Sequence, residues 1–149
     1  MSTLSEIDML LIEHACEKLI HEFAEAIDLR NDRHLEKLFT EDATYSRPIE
    51  PNTVITGRET IVNMFIARPA GRVSRHICSN VRITVDSPTR AHGVSRVMLI
   101  AGPSEPAAHP QFGHKADARQ LIGEYDEEFV KTADGWRFSS RRGRVILHT

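Results

Sequence analysis

The sequence predicts an α+β fold: a curved antiparallel sheet wrapped as a cone around a pocket, with three N-terminal helices across its concave side. Three observations predict it. Apolar residues recur at helical spacing through about residue 70 and alternate from about residue 75 onward. Turn signals at Asp86-Ser87-Pro88-Thr89 and Asp134-Gly135 fall between the alternating runs and join them as neighbours. Helices come first and strands after, which excludes the strand–helix alternation of a parallel sheet. Long strands in one sheet twist and curl, so helices laid across them leave a cone-shaped pocket, the usual form of a small-molecule site.

The elements follow in order. Ser5 is placed to cap the first helix, with Asp8 in its first turn where the helix dipole favours negative charge. Ile12, Cys16, Leu19, Phe23 and Ile27 form its apolar stripe, and Asp28 closes it. Asn31 or Asp32 restarts a short second helix with Leu35, Leu38 and Phe39 on one side. DATYSRP is a short strand ending at Pro48. Thr56 and Glu59 read as a capping box for a third helix, whose apolar face is Ile61, Val62, Phe65 and Ile66 and which Pro69 and Gly71 end. Strands are expected over 75–86, 90–101, 119–130 and 136–147, with a loop rich in Pro, Gly, Ala and His between the second and third of these. In the first of them His76, Cys78 and Asn80 share one face while Ile77, Val81, Ile83 and Val85 mainly occupy the other; a sheet curved around a pocket, with both faces covered, would reconcile the two sets, and a bulge near Asn80 would also serve.

The 149 residues fit one domain, 1–149. Lys and Arg number 19 against 21 Asp and Glu, a net charge of −2, without the basic excess that nucleic-acid binding needs. No apolar run approaches a membrane span, and the first residues lack a signal-peptide layout, so a cytoplasmic location is expected. Cys16 and Cys78 form no metal-ligand spacing, and His109 and His114 have no convergent companions, so neither a metal nor a cofactor is expected. Apolar residues on the outer face of such a sheet need a cover, which predicts a homo-oligomer, dimer or trimer.

Several segments, in this order, resemble the SnoaL-like branch of the nuclear-transport-factor-2-like superfamily: AEAIDLRNDRHLEKLFTEDATY, GRETIVNMF, RHICSNVRITVD and GEYDEEFVKTADGWRFSSRR. Within it the chain looks most like the group of scytalone dehydratase, bile-acid dehydratase and hexachlorocyclohexane dehydrochlorinase. Those enzymes abstract a proton with a histidine paired to an aspartate. The resemblance puts the aspartate at Asp28 and the histidine at His76. It also implies departures. Phe23 stands where the bile-acid enzyme carries a tyrosine, and Ile27 where scytalone dehydratase does. Tyr45 corresponds to a second tyrosine of the latter, whereas its second histidine has no counterpart, since His92 falls too early.

Each candidate has a plainer reading. Asp28 could be a solvated last-turn carboxylate, opposing the helix dipole at a cost of ~0.3–1 kcal/mol. His76 could be a satisfied strand histidine; as a functional group it is the side-chain type that changes charge nearest neutral pH. Tyr45 is either core or a hydroxyl donor to a ligand oxygen. Alternation from Trp136 and Phe138 through Ser140 puts Arg142 and Arg144 on the face shared with the pair, where Arg142 could hold an anionic oxygen. Phe23, Phe65, Met98 and Tyr125 are the expected ligand-binding lining. Glu124, Asp126, Glu127 and Glu128 read as a solvated strand face.

The expected function is a cofactor-independent lyase or isomerase, acting as a dehydratase, cyclase or ketosteroid-isomerase-like enzyme on a small apolar cyclic molecule. His76 would be the base and Asp28 its partner. Two alternatives are a non-catalytic small-ligand-binding module and the structural small subunit of a ring-hydroxylating dioxygenase, to which YSRPIEP is faintly similar.

Overall fold

The computed structural model describes residues 3–149. Its elements are α1 (Glu6–Asp28), a 3-10 helix (Asp32–Lys37), β1 (Phe39–Ser46), β2 (Ile55–Thr56), α2 (Arg58–Ile66), β3 (Arg72–Ser87), β4 (Arg90–Pro103), β5 (Leu121–Thr132) and β6 (Gly135–His148).

The first helix starts as its sequence dictates. Ser5 Oγ accepts from the Asp8 N–H at 3.1 Å, and Asp8 Oδ2 accepts from the Ser5 N–H at 3.0 Å, so two otherwise unpaired donors are satisfied reciprocally. Ile12, Cys16, Leu19, Phe23 and Ile27 are all buried. The helix ends in a Schellman-type turn: the Asn31 N–H reaches Ala26 O at 2.9 Å and the Arg30 N–H reaches Ile27 O at 3.4 Å. Arg30 holds the left-handed position of that turn, at φ 58. Glycine is the usual occupant, and a side chain there costs about 1 kcal/mol.

The sheet is curved and unclosed, with strand order β2-β1-β6-β5-β4-β3. Its neighbours are antiparallel apart from β1 and β6, which run parallel because β1 arrives from the helical layer and docks beside the final strand. The two helices and the 3-10 turn cover the concave face. Between the layers lies an aromatic cluster in which Phe23 meets Phe65 edge-on at 5.5 Å and Phe129 meets Phe138 at 5.1 Å.

Two bulges decide which side chains reach the interior. At Asn80, φ is 50 and the pairing of β3 with β4 shifts between Ser79 and Arg82. His76 and Cys78 before it, and Val81, Ile83 and Val85 after it, therefore all sit inward. At Ser139 the pairing of β5 with β6 shifts, since Phe129 faces Phe138 but Glu128 faces Ser140. That extra residue inverts the alternation, so Arg141 and Gly143 are buried and Arg142 is not.

Some boundaries depart from expectation. Thr56 makes no capping box, because it is drawn into β2 opposite Thr44; Gly57, at φ 96, takes the N-cap position of α2 without a side-chain bond. Ile66 is 44% exposed rather than part of the buried face. The second helix is 3-10 and Phe39 already belongs to β1. No described helix is long and apolar enough to cross a membrane.

Candidate functional site

A cavity of about 510 Å³ opens between the sheet and the ends of α1 and α2. Ile27, Phe65, Val97, Leu99 and Leu121 supply apolar wall, and Ser74, His76, Tyr45 and Tyr125 supply polar groups. The volume suits a small cyclic molecule.

The last turn of α1 and the first half of β3 converge on this cavity. Asp28 and His76, 48 residues apart, meet there. Asp28 Oδ1 lies 2.6 Å from His76 Nδ1 and also accepts from the Ser74 hydroxyl at 2.8 Å, while Oδ2 accepts from the His76 backbone N–H at 2.7 Å. The side chains are only 8% and 18% exposed. Burial pushes the Asp28 carboxyl up, but the hydrogen bonds from the His76 ring and backbone, the charge of His76 and the Ser74 hydroxyl together hold it below its usual value. Asp28 is therefore a carboxylate at neutral pH, with acceptors only. In the neutral ring the proton between them belongs to His76 Nδ1, and the lone pair is on Nε2 of a ring that lines the cavity.

Across the cavity, the Tyr45 and Tyr125 hydroxyls lie 3.2 Å apart, with both residues buried. Burial and the mutual charge repulsion of the two phenols raise Tyr45 well above the usual tyrosine value; burial also raises Tyr125, against the opposing charge of Arg141. Both stay protonated as O–H donors. Only one of them can donate to the other, so the second hydroxyl proton is available to a ligand oxygen.

Behind the tyrosines is a buried ion pair. Arg141 and Glu127 are each 1% exposed, and Arg141 Nε donates to Glu127 Oε1 at 3.1 Å. Ser95 donates to the same oxygen at 2.8 Å. The Arg141 guanidinium stacks 3.9 Å from the Tyr125 ring and 4.2 Å from the Phe23 ring. Glu127 Oε2 and Arg141 Nη1 have no hydrogen-bond partner within the protein.

The structure thus brings Asp28, His76, Tyr45, Phe65 and Tyr125 together at one cavity. Three expected residues lie elsewhere. Arg142 faces away: the Ser139 bulge turns it to the outer side opposite Asp126, and its Nε donates to Ser46 Oγ at 3.2 Å. Met98 pairs with Ile77 on the convex face, and its neighbours Val97 and Leu99 line the cavity instead. Phe23 does not reach the cavity surface; its ring packs behind Tyr45, 5.9 Å between centroids, and backs the wall. Glu127 is not on a solvated face; its signal was its alternation with Tyr125 and Phe129. Arg141 had no such signal, because the bulge hides its parity. Among the described residues, no three of His, Cys, Asp and Glu cluster as a metal ion would require.

A family model described as "SnoaL-like domain" matches residues 8–142. No curated protein matches the chain by sequence. Solved structures do match in shape. A Novosphingobium aromaticivorans protein provisionally assigned as a scytalone dehydratase superposes with a TM-score of 0.80 at 24% identity, covering 97% of this chain and 91% of its own. The type 3 hexachlorocyclohexane dehydrochlorinase of Novosphingobium barchaimii gives 0.78 at 19% identity, covering 97% and 93%. A Streptomyces avermitilis protein of the nuclear-transport-factor-2-like family, provisionally assigned as a dehydratase, gives 0.76 at 15% identity, covering 92% and 98%. At these identities the likeness establishes the cone fold.

Proposed function

The chain belongs to the SnoaL-like domain family, and from that premise we propose that it is a cofactor-independent lyase or isomerase acting on a small, largely apolar cyclic substrate. The observation that carries the reading is the 2.6 Å contact between Asp28 Oδ1 and His76 Nδ1 at the wall of the cavity. The names of the similar structures, dehydratases and a dehydrochlorinase, are compatible with it.

The chemistry follows from the geometry. His76 Nε2 takes a proton from a carbon made acidic by a neighbouring carbonyl or leaving group. The ring becomes imidazolium, and the Asp28 carboxylate balances that charge without accepting the proton. The Ser74 hydroxyl and the His76 N–H fix the carboxylate, so the ring is aimed before substrate arrives. The oxygen that gains charge is served by the free hydroxyl proton of the Tyr45–Tyr125 pair. Dehydration, double-bond migration and cyclisation share this first step.

The test is solvent exchange. A panel of cyclic ketones and enones is incubated with the protein in heavy water, and deuterium entering the carbon next to the carbonyl is followed by NMR. Wild-type protein should accelerate exchange of at least one compound, and His76→Ala should return it to the uncatalysed rate. A compound that binds in the cavity yet exchanges no faster with protein than without would make the chain a binding module instead.

A further inference from the structure

The cavity wall is charged in one sense only. Arg30, Arg47, Arg68 and Arg72 reach it, and no Asp or Glu does. The Asp28 carboxylate stands behind the His76 ring and is occupied by three donors. Three of the four arginines are matched outside the wall: Arg47 by Glu50 at 2.5 Å, Arg68 by Asp32 at 2.8 Å and Arg72 by Asp117 at 2.5 Å. Arg30 is different. Among the described residues no carboxylate lies within 4.0 Å of it; its guanidinium donates only to the carbonyl oxygens of Arg68, at 3.3 Å, and Pro69, at 2.6 Å.

Those two contacts leave most of its five N–H donors open. The position is also an uncommon one for arginine. The left-handed turn that ends α1 suits glycine, yet the chain places there a side chain that reaches the cavity. A planar guanidinium with free donors and no carboxylate partner, at a cavity wall that carries no acidic residue, is the group that pairs with an oxyanion in two parallel hydrogen bonds.

We propose that the ligand of this cavity carries an oxyanion, a carboxylate or a phosphate, on its apolar ring body, and that Arg30 binds it at the rim. The proposal rests on the cavity being the substrate site and narrows the substrate class to anionic ring compounds. The ring then lies against Phe65 and Leu99 with its acidic carbon toward His76, so the anion sets which carbon is presented.

The test is calorimetric binding of naphthalene-2-carboxylate, 2-naphthyl phosphate and uncharged naphthalene-2-carboxamide to the whole protein, at low and at high salt. At least one of the two anions should bind about tenfold or more tightly than the amide at low salt, and the gap should narrow at high salt. Which anion wins separates carboxylate from phosphate ligands. Arg30→Gly, which suits the left-handed backbone, should abolish most of the preference without lowering the melting temperature. Equal binding of the amide and both anions, or a full preference retained in Arg30→Gly, would overturn the proposal. A wild-type protein that shows the anion preference but accelerates no exchange would be a failure of the proton-abstraction reading alone.

Discussion

Replacing Asp28 with asparagine changes almost no volume and tests the base directly. Three donors converge on the carboxylate, two on Oδ1 and one on Oδ2. Asparagine offers one accepting oxygen and one donating NH2. If its oxygen keeps the place of Oδ1, the backbone N–H of His76 faces the NH2 and loses its acceptor. If it takes the place of Oδ2, the NH2 points at His76 Nδ1, and the ring must carry its proton on Nε2. The first arrangement removes the charge that balances imidazolium; the second removes the base. Positioned acid–base catalysis contributes about 10²–10⁴-fold, which at 1.36 kcal/mol per decade is about 2.7–5.4 kcal/mol of barrier. The exchange rate in heavy water should fall within that span. One lost hydrogen bond to a charged group costs ~1.5–3 kcal/mol, and a chain of this size loses about 2–4 °C in Tm for each kcal/mol, so Tm should drop by roughly 3–12 °C. Circular dichroism on heating checks the second figure. Exchange within a few-fold of wild type, in a variant whose Tm has fallen as expected, would refute the assignment of Asp28 as the partner of the base.

Tyr45→Phe combined with Tyr125→Phe removes both facing hydroxyls; exchange should fall by roughly 10²–10³ if this pair serves the developing oxyanion, and an unchanged rate with unchanged affinity would exclude that role. Glu127→Ala leaves the Arg141 charge buried and unpaired, which should cost ~3–5 kcal/mol in denaturant unfolding, while the double change Glu127→Leu with Arg141→Met should recover most of it; a double variant no better than the single would show that the pair itself stabilises the cone. Asp28 is held below its unfolded value of about 3.9, so its contribution is fully present above that pH and lost as pH falls through the folded value. Urea midpoints of wild type and Asp28→Asn should accordingly converge on acidification, and a constant gap down to strongly acid pH would contradict the assigned charge. The convex face exposes Ile77, Ile146 and Leu147, so light scattering after size exclusion should report a dimer or trimer, and a clean monomer would count against self-association.

What could be read from the sequence depended on local rules. The Ser5–Asp8 cap, the stripe along α1 and the switch of period near residue 75 each follow from neighbours a few residues apart, and each appears in the structure. The Asn80 bulge was readable because it resolves a conflict: polar His76 and apolar Val81, Ile83 and Val85 could share a face only if one residue were inserted. The Ser139 bulge resolves no such conflict. Trp136, Phe138 and the residues after them alternate acceptably in either register, so the alternation predicts Arg142 where Arg141 stands. Met98 misled for another reason. β4 alternates with period two and turns Ala91, Gly93, Ser95, Val97 and Leu99 inward, so Met98, between the last two, goes outward. A Cβ at Gly93 would lie 2.8 Å from Arg82 O. Apolar residues occupy both faces of that strand, so hydrophobicity alone does not tell its sides apart. The arginines of the rim were invisible as a group, since they come from four separate segments and converge only in the folded chain.

The proton-abstraction reading turns on which ring nitrogen of His76 carries the proton. Long-range ¹H–¹⁵N correlation on the histidine rings at neutral pH reads this directly, with His76→Ala giving the assignment. Protonated Nδ1 and unprotonated Nε2 are expected, with that pattern lost in Asp28→Asn. A His76 ring protonated on Nε2, or averaging freely between tautomers in the wild-type protein, would contradict the assignment of His76 as a base held by Asp28.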